Sequence, residues 1–146
     1  MEHLLISACL LGFECKYSGG SNALDAAALA ALRERFRLIP VCPESAGGLP
    51  TPRAPSERQG EKVVSKLGQD VTGEYHKGAD TALYLARRYG CTRALLKERS
   101  PSCGSGAIYD GSFTGSLVPG DGVAAESLKA AGIGVYGESR IKELLS

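Results

Sequence analysis

Four short apolar runs constrain the fold of this chain more than any other feature: His3–Ala8, Arg37–Val41, Arg93–Lys97 and Ile133–Tyr136. Each is too short for a buried helix and suits a strand covered on both faces. Segments with helical spacing separate them. Leu24, Ala28, Leu32 and Phe36 recur at that spacing, which predicts a helix over Asn22–Arg35 capped by Ser21 or Asn22. Tyr75, Ala79, Ala82, Leu83 and Ala86 share one face of a predicted helix Glu74–Tyr89 that Gly90 stops. Asp121 is placed to cap a helix running to Ala131, and Ser139–Leu145 reads as a last helix. Strands alternating with helices predict an α/β, Rossmann-like domain with a mainly parallel sheet and helices on both faces.

The segments between are turns, loops and small hairpins. Cys42–Arg53 carries three prolines and two glycines and reads as a long loop without a regular element. Glu61–Lys66 and Gln69–Thr72 predict a hairpin about Leu67-Gly68, and Ala107–Asp110 with Ser112–Leu117 a second one. A length of 146 residues, 43% hydrophobic, is expected to form a single domain over residues 1–146. The formal net charge of +1 makes no electrostatic case for nucleic-acid binding. No apolar run approaches the about 18 residues of a membrane span, and the N-terminus lacks the basic region of a signal peptide. The expected location is cytoplasmic, where thiols stay reduced. The oligomeric state is not readable from these features.

Five cysteines punctuate this pattern. Cys9 follows the first predicted strand, Cys42 the second, and Cys103 lies in the loop after the third. Parallel strands point the same way, so their C-terminal ends share the edge at which open α/β sheets bind ligands. The three thiols are therefore expected to converge on one cofactor site. Their surroundings, Ser-Ala-Cys-Leu-Leu-Gly, Val-Cys-Pro-Glu and Ser-Pro-Ser-Cys-Gly, offer bent backbone whose N–H groups can reach an inorganic ion. An iron–sulfur cluster fits best. Zinc held by Cys9, Cys15, Cys42 and Cys103, and a regulatory disulfide between Cys9 and Cys15, are the other readings these residues allow. Cys91, just beyond a helix stop, reads as core filling. A four-iron cluster on three cysteines leaves one iron open to substrate, a soft Lewis acid suited to sulfur.

Other groups gain meaning from their distance to these thiols. Glu44, two residues beyond Cys42, is placed to act as general acid or base. Ser100 and Ser102 flank Pro101 just before Cys103, where their hydroxyls can bond substrate or cluster sulfide; turn formation is the plainer alternative. Tyr17, Ser18 and Gly19, ahead of the first predicted helix, can contribute to a phosphate site at its N-terminus, and Arg53 can meet an anion. His3 and His76 have no partner motif. Gly104-Ser105-Gly106 lacks the rest of a dinucleotide fingerprint, and no Walker motif is present.

Together these segments resemble the thiouracil desulfidase family. The resemblance rests on Ser7-Ala8-Cys9-Leu10-Leu11-Gly12 with Cys15-Lys16-Tyr17, on Val41-Cys42-Pro43-Glu44 running into Gly47-Gly48-Leu49-Pro50-Thr51-Pro52-Arg53, and on Ser100-Pro101-Ser102-Cys103-Gly104 with Tyr109-Asp110-Gly111. It spans Ser7 to about Gly115. It implies a [4Fe–4S] cluster on Cys9, Cys42 and Cys103, with one open iron and with Glu44 and Ser100 assisting catalysis. It further implies removal of sulfur, without net redox change, from small thiolated uracils such as thiouracil or 4-thiouridine monophosphate. The competing expectation is a non-catalytic iron–sulfur or zinc protein that uses Cys15 as an extra ligand or resolving thiol.

Overall fold

The computed structural model describes residues 1–146. Its centre is a four-stranded sheet built from β1 (Glu2–Ser7), β2 (Phe36–Val41), β5 (Arg93–Leu96) and β8 (Gly134–Gly137), in the order β2-β1-β5-β8. All three pairings are parallel. The four apolar runs thus become the four sheet strands, with ends shifted by a residue or two.

Period-two alternation sends side chains to both faces. Leu4, Ile6 and Leu95 pack on one side with Leu32 of α1 (Ala26–Arg35) and Leu144 of α5 (Ile141–Leu145). Leu5, Ala94 and Leu96 pack on the other with Tyr75, Ala79, Ala82 and Ala86 of α3 (Thr72–Arg88) and Leu128 of α4 (Val123–Ala130). Each fully buried leucine or isoleucine contributes roughly 1.5–3 kcal/mol of transfer free energy. Cys91 belongs to the second layer and is core filling, as its position suggests. No helix is long and apolar enough to cross a membrane.

The strand order sets the site. From β1 the chain crosses to β2 on one side and later returns to β5 on the other. The crevice between the C-terminal ends of β1 and β5 is therefore a topological switch point.

Several local expectations need correction. The first helix starts at Ala26, and its cap is Asp25, whose carboxylate accepts from Ala28 N at 2.7 Å. Ser21 and Asn22 lie in irregular chain ahead of it, where Asn22 N donates to Cys9 O (3.0 Å) and Leu24 N to Leu10 O (2.9 Å). The Cys42–Arg53 segment is not all loop: Pro43–Ala46 forms a single helical turn, α2, with proline at its first position, where a missing N–H costs nothing. Opposite it, α3 carries Gly78, where a Cβ would lie 1.9 Å from Pro43 O. Only glycine lets the α2 backbone sit that close, and this contact seats Cys42 and Glu44.

The hairpins differ in extent. The reversal about Leu67-Gly68 forms, with an antiparallel bridge between Val64 and Asp70 and hydrogen bonds from Ser65 N to Gln69 O (2.8 Å) and Val71 N to Val63 O (2.9 Å). The longer pairing is of β3 (Ser56–Gln59) with β4 (Lys62–Ser65), whose turn falls at Gly60-Glu61. β6 (Ala107–Tyr109) pairs with β7 (Leu117–Pro119), leaving Asp110–Ser116 as the connecting loop. The α4 cap is Gly122, and the helix ends at Ala130. Asp121 instead accepts from Gly106 N at 2.9 Å and from Lys129 Nζ at 2.8 Å.

Candidate functional site

The C-terminal ends of β1, β2 and β5 open into a cavity of about 580 Å³. Cys9, Cys15, Cys42 and Cys103 all line it. Cys9 sits in a 3₁₀ turn, Ala8–Leu11, that follows β1 directly. Its carbonyl accepts from Gly12 N and Asn22 N, which pins the turn. Cys42 is the residue before α2, and its carbonyl accepts from Ala46 N at 2.9 Å. Cys103 lies in a loop bound to the start of α4: Pro101 O accepts from Val123 N (2.8 Å) and Ser102 O from Ala125 N (3.0 Å). The three cysteines singled out by strand position do come together. So does Cys15, whose carbonyl lies 3.8 Å from Cys42 Sγ.

Cys103 is buried and Cys9 and Cys15 are half-buried, and desolvation is the leading cause of a raised pKa at all three; Cys15 is pushed up to about 12. At Cys103 the Glu44 charge adds to the rise, while hydroxyl donors oppose it. Ser7 Oγ donates to Cys103 Sγ at 3.2 Å, and Ser102 Oγ lies 3.5 Å from the same sulfur. Tyr75, also at the cavity, is raised first by burial and then by Glu44.

A pH dependence follows. The unfolded thiols ionise near 9.0, and the folded ones resist ionisation until higher pH. Their contribution to stability is complete below about pH 9 and is lost as pH rises through the folded values. Cofactor-free protein is therefore expected to unfold at lower denaturant concentration at about pH 10.5 than at about pH 8. Equal midpoints at the two pH values would remove the argument.

Glu44 is held at both carboxylate oxygens. Its Oε1 accepts from Ser102 Oγ at 2.6 Å, and its Oε2 lies 3.8 Å from Arg53 Nη2. Its side chain is 13% exposed. Ser100 completes the chain of hydroxyls. Its Oγ accepts from Ser102 N and Cys103 N, each at 3.1 Å, and stands 3.1 Å from Ser102 Oγ. With both lone pairs taken, the Ser100 hydroxyl donates to Ser102, and the Ser102 hydroxyl donates to Glu44.

Ser100 lines the cavity, whereas Ser102 is fully buried behind it. The Ser102 hydroxyl faces the Glu44 carboxylate and not the cavity. Arg53 and Tyr17 line the cavity, but Ser18 and Gly19 do not. A helix-start phosphate site at Ser18 and Gly19 fails because α1 begins further on, at Ala26. Arg53 is engaged by Cys15 O (3.0 Å) and Thr51 Oγ1 (3.0 Å) as well as Glu44.

Sequence reasoning missed other members. Ser7 and Lys97 stand at the C-terminal ends of β1 and β5, where the rule used for the cysteines applies equally. Lys97 N donates to Ser7 Oγ at 2.9 Å, and Lys97 Nζ pairs with Glu138 Oε2 at 2.8 Å. Lys16, Lys66 and Arg99 line the cavity without an ion-pair partner. Glu57 and Phe113 line it too.

The chemistry of the donor set suits an iron–sulfur cluster: Cys9, Cys15, Cys42 and Cys103 line one cavity, and such a cluster takes one soft thiolate per iron. As the side chains stand, no three of His, Cys, Asp or Glu are arranged to hold a single metal ion.

Known proteins match this arrangement over nearly the whole chain. The family model described as 2-thiouracil desulfurase matches residues 4–140. The uncharacterized protein YbbK of Bacillus subtilis (strain 168) is 39% identical over 152 residues, spanning 97% of this chain and 99% of that protein. A solved structure of the [4Fe-4S]-dependent thiouracil desulfidase TudS superposes with a TM-score of 0.94 at 49% identity, covering 99% of this chain and 95% of that one.

Proposed function

This chain belongs to the 2-thiouracil desulfurase family, a family of enzymes, and on that premise we propose that it removes sulfur from small thiolated uracils by hydrolysis. The reaction exchanges C=S for C=O: one water supplies the oxygen, and the sulfur leaves with the two protons as hydrogen sulfide. No electron acceptor or donor takes part. Residues 1–146 act as one desulfidase domain with a [4Fe–4S] cluster held by Cys9, Cys42 and Cys103. The observation that carries this reading is a carboxylate, Glu44, fixed at 2.6 Å from Ser102 Oγ in a cavity lined by those three thiols.

When bound, the cluster supplies one iron without a protein ligand, a soft Lewis acid for a thiocarbonyl sulfur. The chain's own residues do the rest. Glu44 holds the attacking water and takes its proton. Ser102 and Arg53 keep that carboxylate in a single orientation, so little reorganisation remains at the moment of attack. Ser100 presents the wall nearest this hydroxyl chain and locks Ser102 in place. The Ser7 hydroxyl stabilises negative charge on Cys103 sulfur.

The cavity volume lies within the range of small-ligand sites. Lys16, Lys66 and Arg99 offer counter-charge for a phosphate, which supports 4-thiouridine monophosphate alongside free thiouracil as substrate. Reduced thiols and an open iron suit a cytoplasmic setting.

Anaerobically reconstituted protein is expected to carry about four irons per chain and to release sulfide from 2-thiouracil, 4-thiouracil or 4-thiouridine monophosphate. Release from none of them overturns the reading. Cys15 lines the same cavity, which favours one rival, a redox sensor with Cys15 as ligand or resolving thiol. Cys15→Ser separates the two. The desulfidase reading expects iron content and sulfide release to persist, and the sensor reading expects the cluster or its redox response to be lost.

A further inference from the structure

Two non-glycine residues have left-handed backbone, Arg99 at φ 69° and Phe113 at φ 60°, and both line the thiol-bearing cavity. For a side chain as bulky as phenylalanine this conformation is an outlier. It persists only where the surroundings impose it, commonly at ligand sites.

The surroundings that impose it are specific. Glu57 on β3 is 8% exposed, and its Oε1 accepts from Gly111 N at 2.9 Å and from Phe113 N at 3.1 Å. Gln59 Nε2 donates to Gly111 O at 2.9 Å. The loop lies so close to β3 that a Cβ on Gly111 would stand 2.7 Å from Gln59 Cγ. Between Asp110 and Ser116, Phe113 is the single large apolar side chain. The polar side chains of the loop bond one another: Ser112 to Asp110, and Thr114 to Ser116 at 3.2 Å. A buried carboxylate and a strained turn therefore serve to hold one aromatic residue at the cavity lining.

We propose that Phe113 is the ring-recognition residue of this site, stacking on the pyrimidine of the substrate, and that Glu57 is the positioning residue that holds it there. The proposal rests on the desulfidase reading for the identity of the ring. An aromatic face grips a flat base without needing its sulfur, so the same contact serves thiolated substrate and oxo product.

The test is equilibrium binding of uracil to the reconstituted holoprotein, with inorganic phosphate as a ring-free control. Phe113→Gly relieves the left-handed backbone, so its unfolding midpoint is expected at or above that of the unsubstituted protein. Its uracil affinity is expected to fall about tenfold, with phosphate binding unchanged. Phe113→Tyr should stay within about twofold. Glu57→Ala is expected to lose uracil affinity alone but to add no further loss to Phe113→Gly. Glu57→Gln, whose amide oxygen accepts the same two N–H groups, should rescue it.

Unchanged uracil affinity in Phe113→Gly overturns the proposal. So does a fall in its unfolding midpoint that accompanies lost binding, which marks Phe113 as structural. If the unsubstituted protein releases sulfide from thiouracil and Phe113→Gly binds uracil normally, this proposal alone fails; if it neither binds uracil nor releases sulfide, the desulfidase reading fails with it.

Discussion

Cys103→Ser protein, reconstituted without oxygen, is expected to lose most of its iron and all measurable sulfide release while keeping its fold. Cys103 is 4% exposed, and desolvation holds its thiol above the usual range. A thiol held in that state needs a cation beside it to ionise near neutral pH, and a serine hydroxyl at the same place is far harder to deprotonate and offers a poorer ligand to iron. The substitution itself is nearly isosteric, and Ser7 Oγ, now 3.2 Å from the sulfur, remains as a hydrogen-bond partner for the new hydroxyl. An unfolding midpoint close to that of the unsubstituted apoprotein, together with low iron, is the expected pair of results. Full iron content in Cys103→Ser would remove Cys103 from the ligand set.

Glu44→Gln is the complementary experiment, since it is expected to spare the cluster and stop the chemistry. The amide occupies the volume of the carboxylate and can still accept from Ser102 Oγ, so position is kept while the proton acceptor is lost. Sulfide release is expected to fall by about a hundredfold or more, within the range that positioned acid–base groups contribute. Iron content and the visible absorption of the cluster should not change. Ser102→Ala is expected to lose less, because the carboxylate remains and only its orientation loosens. A Glu44→Gln protein with normal turnover would assign the base elsewhere.

The reach of the sequence is uneven for physical reasons. The central sheet was legible because four apolar runs must be buried on both faces, and parallel strands then force Cys9, Cys42 and Cys103 to one edge. The same logic would have found Ser7 and Lys97 had it been applied to every residue at those strand ends. The Ser56–Gln59 strand was not legible. Its residues, Ser-Glu-Arg-Gln, show no apolar alternation, and what places them is tertiary: Glu57 and Gln59 hold the Asp110–Ser116 loop. The helical turn at Pro43 was hidden among prolines, although proline at a first helical position is compatible with that turn. Asp25 displaced Ser21 and Asn22 as cap because the chain before it is tied to the Cys9 turn through Asn22 N and Cys9 O. Ser100 and Ser102 look equivalent in sequence. Only three dimensions separate the one at the cavity wall from the one that holds Glu44.

The most direct measurement follows the oxygen. Reconstituted protein is incubated anaerobically with 4-thiouridine monophosphate in ¹⁸O-labelled water, with no electron donor or acceptor, and the nucleotide product and sulfide are quantified. Hydrolytic desulfidation predicts one labelled oxygen in each product uridine nucleotide and one sulfide released per turnover. Unlabelled product, or turnover that starts only when a reductant or oxidant is added, would contradict it.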